Sequence, residues 1–279
     1  MVKDITIGQY FPSDSIIHRL DPRIKIVLTL VLIVCIFICK NIPSLLAFVL
    51  ITALLVLVSK VPLKMVLKSI KPIAIVILFT SLLNIFYIRG GTVFFEWKFI
   101  HITSKGLFTA LFMAVRVICL VVISSLLTYT TTPTMLTDAI ERLLSPLKIF
   151  KIPVHTLSMM MTLALRFIPV LIDEIDRITN AQKARGADFE TGGLIKKAQA
   201  MIPIIVPLFI SSIKHAYELA DAMDCRCYTD GSGRTRMKQM KTKASDYAAL
   251  YVSLVFVTAL ILCNYAPFIT GLTFFNTVI

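Results

Sequence analysis

The chain is short of charged residues. Asp, Glu, Lys and Arg make up 16% of its 279 residues, whereas a soluble domain contains about 25%. In their place, 57% of the residues are hydrophobic and the mean hydropathy is +0.84. This composition excludes an intrinsically disordered chain and a nucleic-acid-binding domain of ordinary solubility. It indicates an integral membrane protein rather than a soluble enzyme.

Motifs of catalysis and metal binding are also missing. There is no Gly-x-x-x-x-Gly-Lys-Ser/Thr loop, no His-Glu-x-x-His and no Gly-x-Ser-x-Gly. The Cys225-Arg226-Cys227 pair lacks the second ligand pair that a zinc site uses. The other cysteines lie in apolar runs, where a thiol behaves as a small hydrophobic group: Cys35, Cys39, Cys119 and Cys263. We therefore expect no catalytic residue, metal site or cofactor on this chain.

Five stretches are candidates to cross a bilayer as helices, which takes about 20 apolar residues each. They are Ile26–Ile42, Ile42–Ser59, Ile73–Ile88, Gly106–Tyr129 and Tyr247–Ile269. The first two are nearly continuous and predict a tight hairpin. The predicted fold class is an all-α, polytopic membrane protein with about five transmembrane helices and long amphipathic helices on the cytoplasmic side.

Positive charge predicts the orientation of these spans. If the N-terminus is cytoplasmic, the internal segments 1–25, 60–71 and 132–244 hold 24 of the 29 Lys and Arg residues, and the external loops hold four. The remaining one, Arg116, lies within a span. This asymmetry favours a cytoplasmic N-terminus and an external C-terminus. The predicted organisation is a membrane part with four spans (1–131), a cytoplasmic region (132–244) and a final span (245–279).

The cytoplasmic region contains two stretches that are apolar enough to be additional spans, Val154–Ile172 and Ala200–Ile213. As spans they would place the loop 173–199, with five Lys and Arg residues, outside the cell. They would also place Arg166 in lipid, at a cost of a few kcal/mol. We therefore interpret both as amphipathic helices at or below the inner membrane surface, preceded by a short helix that Thr134 or Thr137 caps and that ends near Pro146.

The two long helices end alike. The first runs from His155 to Ala184-Arg185-Gly186, and the second runs from about Ala200, interrupted by Pro203 and Pro207, to Cys225-Arg226-Cys227. A cation in the last turn complements the helix dipole, and glycine permits a left-handed residue beyond it. Two interpretations are open. Each arginine stabilises only the end of its own helix, or the two guanidinium groups donate hydrogen bonds to carboxylates on two copies of a similar partner.

The chain contains a series of short motifs. They are Gly8-Gln9-Tyr10, Ser15 with His18-Arg19-Leu20-Asp21-Pro22-Arg23 and Lys25, Leu127-Thr128, Thr131-Thr132-Pro133, Ser145-Pro146-Leu147, Arg166-Phe167-Ile168-Pro169, Ala181-Gln182-Lys183-Ala184-Arg185-Gly186-Ala187, Pro207-Leu208-Phe209, Glu218-Leu219-Ala220, Ala222-Met223, Arg226 and Gly233-Arg234-Thr235-Arg236. With these motifs the sequence resembles the transmembrane (T) component of energy-coupling factor (ECF) transporters, which are ABC-type importers. The resemblance covers essentially the whole chain.

The resemblance implies a non-catalytic coupling subunit in the prokaryotic cell membrane, serving uptake of vitamins or other micronutrients. Two signatures would dock on two ABC-type ATPases, which bind ATP and Mg²⁺: Ala184-Arg185-Gly186 and Cys225-Arg226-Cys227. The lipid-embedded part and the two long helices would hold a substrate-binding S component. Cys227 lacks glycine's conformational freedom, which leaves the geometry of the second helix end open. Further candidates for a structural or coupling role are Arg116, Arg166, Pro169, Arg234 and Arg236.

Other functions remain alternatives at this point. One is a dedicated T component of a cobalt or nickel uptake system. Another is a permease that binds its own substrate, for which intramembrane Arg116 is the best support. The third is a membrane enzyme, but its sole acidic cluster, Asp173, Glu174 and Asp176, is explained by a solvated helix face.

Overall fold

The structure is a computed structural model that describes residues 10–39, 41–88, 93–97, 100–150, 153–187, 189, 193–228 and 242–265. Its elements in chain order are α1 (Ile16–Arg19), α2 (Pro22–Ile38), α3 (Ile42–Ser59), α4 (Leu63–Tyr87), β1 (Val93–Trp97), β2 (Ile100–Thr103), α5 (Ser104–Thr130), α6 (Pro133–Leu143), a 3-10 turn (Ser145–Phe150), α7 (Val154–Ala184), α8 (Leu194–Asp224) and α9 (Ala244–Tyr265).

These elements form two compact units. The first, which we call the membrane unit, contains α1 to α5, the β-hairpin and α9. The second, which we call the coupling unit, contains α6, the 3-10 turn, α7 and α8. In the described part of the chain, six helices are long and apolar enough to cross a bilayer: α3, α4, α5, α7, α8 and α9. The polytopic all-α class that the composition predicts is therefore confirmed.

The membrane unit packs around α5, which contacts α2, α3 and α4. One apolar cluster joins α2, α3, α5 and α9 and includes Ile36, Phe48 and Ile123. Three of the cysteines that we expected to act as small hydrophobic groups, Cys35, Cys39 and Cys119, are buried in the same cluster. In water, burying one large hydrophobic side chain stabilises the folded state by about 1.5–3 kcal/mol. In lipid, which is itself apolar, close packing between helices contributes more to stability than burial does.

Several predicted boundaries of the membrane helices are wrong. Helix α2 begins at Pro22, four residues early, because Asp21 caps it and Pro22 takes its first turn. It ends at Ile38 rather than Ile42. Helix α4 begins at Leu63, ten residues before the predicted Ile73, and passes through an internal proline, Pro72. Its amino-terminal turns carry exposed lysines, which lower hydropathy without ending a helix.

Two predictions for the helices of the coupling unit are also wrong. Helix α6 begins at Pro133, so the two candidate caps, Thr134 and Thr137, lie inside it. Helix α8 begins at Leu194 and continues unbroken through Pro203 and Pro207, which we expected to interrupt it. A proline removes one hydrogen bond and bends a helix, but the remaining bonds keep its turns intact.

A short antiparallel hairpin of β1 and β2 connects α4 to α5, an element that the sequence analysis did not predict. The hydroxyl of Thr103 at its end accepts from the amide of Gly106 (3.2 Å) and donates to the carbonyl of Ile88 (2.9 Å). It thereby caps α5 and ties it to the end of α4. A side chain at Gly106 would lie 3.2 Å from the carbonyl oxygen of Ile85, so the two helices approach closely here.

Candidate functional site

The carboxyl end of α7 is closed by two hydrogen bonds beyond the regular helix. The amide of Ala187 donates to the carbonyl of Gln182 (3.0 Å), and the amide of Gly186 donates to the carbonyl of Lys183 (3.0 Å). This pair of bonds is a Schellman motif, in which the residue after the cap is left-handed. Gly186 has φ of 85°, and Arg185 occupies the cap position directly before it.

The carboxyl end of α8 repeats this geometry bond for bond. The amide of Tyr228 donates to the carbonyl of Met223 (3.1 Å), and the amide of Cys227 donates to the carbonyl of Asp224 (2.9 Å). Cys227 has φ of 51°. Arg226 therefore stands directly before a left-handed residue, in the same place that Arg185 takes at the end of α7.

The backbone at the end of α8 is strained, and the backbone at the end of α7 is not. A left-handed backbone costs about 1–2 kcal/mol for a residue with a Cβ and almost nothing for glycine. Among the described non-glycine residues, only Lys60 and Cys227 have a positive φ. The second end thus keeps the geometry of the first although its sequence does not favour that geometry, and the question that Cys227 left open is answered by the structure.

The two cap arginines are both exposed. Among the described residues, the structure gives neither Arg185 nor Arg226 a side-chain hydrogen bond or ion pair. Each guanidinium therefore keeps five N–H donors free at the negative end of a long helix. Donors in this fixed fork match a carboxylate on another molecule.

One contact between α7 and α8 lies in the middle part of α8 and the second half of α7. The hydroxyl of Ser211 donates to Glu174 Oε1 (3.4 Å). Arg185 lies 11 residues beyond Glu174, which is about 16 Å along the helix, and Arg226 lies 15 residues beyond Ser211, which is about 22 Å. Arg185 thus lies at the end of a helical segment that extends past this contact, whereas the end of α8 makes a further contact with α7 through Tyr228 and Met159. We call these two ends the arginine tips.

The other predicted candidates of this region are not brought to the tips. Arg166 is exposed on α7, and Pro169 lies inside the same helix. Arg234 and Arg236 lie outside the described residues. The hydroxyl of Tyr228 contacts Met159 Sδ (2.6 Å), which ties the tip of α8 to the amino-terminal half of α7.

A second cluster of polar residues lies in the membrane unit, and the sequence analysis assigned it no role. Lys25, in the first turn of α2, is 5% exposed. Its Nζ donates to the carbonyls of Thr130 at the end of α5 (2.9 Å) and of His18 in α1 (3.2 Å). One ammonium thus joins three helix ends.

Asp246 completes this cluster from the first turn of α9, where it is 1% exposed. Its Oδ1 accepts from the amide of Asp21 (2.9 Å), and its Oδ2 accepts from the amide of Lys243 (2.6 Å). Asp21 in turn caps α2 by accepting from the amide of Arg23 (3.0 Å). We call Asp21, Lys25, Thr130 and Asp246 the polar junction.

Only part of the junction has a signal in the sequence. His18, Asp21 and Lys25 belong to the motif that supports the family resemblance. Asp246 lies 225 residues after Asp21, and an acidic residue in the first turn of a helix is ordinarily explained by the helix dipole alone.

His18 secures α1 against the junction. Its Nε2 lies 3.0 Å from the carbonyl of Phe11, and its Nδ1 lies 2.7 Å from the hydroxyl of Ser15. Burial lowers the pKa of His18 from its ordinary 6.5, against the opposing effect of the hydrogen bond to Phe11. The neutral ring is therefore the form that the folded protein favours.

Arg116 lies halfway along α5 and is bound within the membrane unit. Its Nη2 donates to the carbonyl of Cys39, the residue directly after α2. The guanidinium also lies 4.9 Å from the centre of the Phe112 ring, an arrangement that favours a cation. A carbonyl at a helix end and an aromatic face hold this charge, and the structure gives it no acidic partner among the described residues.

Comparison with known proteins gives matches along almost the whole chain. The family described as CbiQ, cobalt transport protein, matches residues 13–238. A protein of Ruminiclostridium cellulolyticum is 49% identical over 96% of this chain and 100% of its own length. One of Clostridium kluyveri is 51% identical over 94% of this chain and 97% of its own. One of Bacillus subtilis is 42% identical over 94% and 98%. All three are named energy-coupling factor transporter transmembrane protein EcfT.

The chain belongs to the EcfT family.

This membership confirms the family resemblance that the motifs carry. The matched residues 13–238 include both arginine tips and the amino-terminal part of the polar junction. Because EcfT proteins are transmembrane components by name, and six helices of this chain are long and apolar enough to span, the chain is a multi-pass membrane protein and a component of a transporter.

Proposed function

We propose that this chain is the non-catalytic coupling subunit of an ECF-type importer, and that its two arginine tips dock on two ATPase subunits. The observation that carries this proposal is the shared geometry of the two tips, which have the same pair of closing hydrogen bonds and a left-handed residue after each arginine. A shared geometry at two places on one chain suits two copies of one kind of partner. The exposed position of both arginines leaves them accessible to it.

Docking would take place through the free donors of each tip. Arg185 and Arg226 would each present a guanidinium to a carboxylate in a groove of the partner. A buried charge-assisted pair of this kind loses about 2–5 kcal/mol when one partner is truncated.

A substrate-binding S component would cover the apolar surface of the coupling unit. Many large hydrophobic side chains on α7 and α8 are exposed, including Met160, Ile168, Ile205, Phe209 and Ile213. No residue of the described α8 is buried, although the helix is long and apolar enough to span a bilayer. An exposed apolar face that runs along two long helices is typical of an interaction surface. ATP-driven movement of the tips would reach the S component along these two helices.

We propose that α7 and α8 are amphipathic helices at or below the inner membrane surface. The junction supports a common side for the start of α2, the end of α5 and the start of α9, since Lys25, Thr130 and Asp246 meet there. The segments adjoining these ends hold most of the 29 Lys and Arg residues. The positive-inside rule then places the N-terminus in the cytoplasm and the C-terminus outside.

ATP and Mg²⁺ belong to the partner ATPases in this proposal, because the chain has no phosphate-binding loop. Transport specificity would belong to the S component. The contacts of Arg116 with a backbone carbonyl and an aromatic ring support a structural role for it rather than a substrate pathway through this chain.

The test is substitution of the tip arginines in the assembled transporter. Arg185→Ala and Arg226→Ala should each weaken ATPase binding by about thirtyfold or more, as expected for a loss of about 2 kcal/mol. The double variant should abolish ATP-dependent uptake. Arg177→Ala, at another exposed arginine of α7, is the matched control and should behave as the natural protein. Normal co-purification of the ATPases with the double variant, together with normal uptake, would rule out the proposal.

A further inference from the structure

The membrane unit contains an apolar groove of about 390 Å³. Its walls are the first turns of α2, the last turns of α3 and α5 and the first half of α9, and α1 lies across one end. It therefore occupies the half of the unit in which the polar junction lies. The groove belongs to neither the arginine tips nor the apolar surface of the coupling unit.

The walls are apolar in their chemistry as well as in their composition. Five hydroxyl residues line the groove: Thr29, Thr52 and Ser253 along its length, and Thr130 and Ser245 at the end beside the polar junction. The hydroxyls of Thr29, Thr52 and Ser253 each donate to a carbonyl in their own helix, at 2.7–2.8 Å. These three hydroxyls have no free donor for an occupant, so the length of the groove suits a hydrocarbon chain rather than a polar molecule.

The length of the groove matches one leaflet of a membrane. Along α9 the lining residues extend from Ser245 to Phe256, which is about 16 Å at 1.5 Å per residue. Half of a hydrocarbon core about 30 Å thick is about 15 Å. The rim residues Leu54 and Val252 are 56% and 61% exposed, so the groove opens sideways, where lipid chains surround a membrane protein.

Two exposed cationic residues lie close in sequence to lining positions at the junction end of the groove. Arg19 and Lys243 are exposed and lie within two residues of lining positions Leu20 and Ser245. Asp14 pairs with Arg19 at the surface (3.6 Å). The carboxylates of Asp21 and Asp246 are buried and accept from backbone amides.

The sequence before α9 is rich in positive charge. Residues 234–243 contain five Lys and Arg and no acidic residue. A basic segment beside a transmembrane helix attracts anionic lipids, by about 1 kcal/mol for each residue near the surface.

We propose that this groove binds one acyl chain of an anionic phospholipid, whose phosphate lies beside Arg19 and Lys243. The lipid would fill the space between α2 and α9 and thereby support the helix ends that the polar junction holds. That the lipid comes from the inner leaflet rests on the proposed topology. The binding itself does not, since it requires neither the ATPases nor transport.

The experiment is native mass spectrometry of the purified full chain in mild detergent with dioleoylphosphatidylglycerol, compared with dioleoylphosphatidylcholine. We expect one phosphatidylglycerol per chain to be retained in preference to phosphatidylcholine. Ala249→Phe, which fills the groove from α9, should reduce this retention at least tenfold. Ala259→Phe makes the same change on the same helix outside the groove and should have no effect. Arg19→Gln with Lys243→Gln should remove the preference for the anionic lipid.

Equal retention by Ala249→Phe and the natural chain would overturn the proposal, as would equal retention of the two lipids by the natural chain. If Ala249→Phe does not fold, Ala248→Phe, at another lining position, decides in its place. A photo-crosslinker at Val252 in the assembled transporter should capture lipid, and capture of a partner subunit instead would also overturn the proposal. Loss of ATPase binding in the tip variants with lipid retention unchanged would separate the two proposals.

Discussion

Exchanging the residues that follow the two tip arginines tests the physical difference between the tips. Gly186 and Cys227 both have a positive φ, and only glycine adopts it without strain. A Cβ at position 186 would meet nothing within 4 Å, so Gly186→Ala changes the conformational cost without a clash. A left-handed alanine destabilises the folded helix end by about 1–2 kcal/mol. Alanine also lowers the entropy of the unfolded chain, which offsets about 0.4–1 kcal/mol of this loss.

The expected net effect is therefore about 1 kcal/mol at each tip, in opposite directions. Hydrogen–deuterium exchange of the amides that close the two Schellman motifs, those of Ala187 and Tyr228, reports this directly. Gly186→Ala should make exchange at the end of α7 about fivefold faster, and Cys227→Gly should make exchange at the end of α8 about fivefold slower. Cys225→Ala, one helical position earlier than Arg226, should change neither.

Two results would refute this reasoning. Unchanged exchange at the end of α7 in Gly186→Ala would mean that residue 186 does not need a left-handed backbone. Faster exchange at the end of α8 in Cys227→Gly would mean that Cys227 is helical in solution and that the two tips differ.

Three further predictions concern the membrane unit. Asp246→Ala should lower the stability of the purified protein by about 2–3 kcal/mol, because a buried backbone amide, that of Asp21, and a partly buried one, that of Lys243, lose a charged acceptor. Asp14→Ala, at an exposed ion pair, should change it by less than about 1 kcal/mol in a thermal melt. The pKa of His18 is lowered from 6.5 in the folded protein, so the unfolded state binds the proton more readily. The melting temperature should therefore fall as the pH drops below about 6.5. In His18→Gln the melting temperature should depend less on pH in this range. Gly106→Leu should cost about 2 kcal/mol by overpacking α5 against the carbonyls of α4, and an unchanged melt would contradict the close approach of these helices.

The existence of most helices could be predicted from the sequence, but their ends could not. Apolar runs identify α3, α5 and α9 because a membrane helix must be hydrophobic over its spanning length. Helix α4 continues past its apolar run through Lys64, Lys68 and Lys71, since backbone hydrogen bonding does not depend on hydropathy. The two prolines of α8 do not end it, because the hydrogen bonds of the neighbouring residues keep the helix continuous.

The site could be predicted where its signal is local. The sequence shows a small residue, an arginine and another small residue at two helix ends, and the structure gives these ends one geometry. The left-handed conformation of Cys227 had no local signal, because its propensity opposes it and only the two closing hydrogen bonds favour it. The pairing of Asp21 with Asp246 depends on the tertiary fold, which brings together residues 225 positions apart.

The most direct measurement of the central claim uses the thiols that the second tip already carries. Cys225 and Cys227 are exposed, so a membrane-impermeant maleimide should label them in inverted vesicles and not in intact cells, in a Cys263→Ser background. Added ATPase subunits should then protect both thiols. Labelling from the outside of intact cells, or labelling that the ATPases do not slow, would contradict the account.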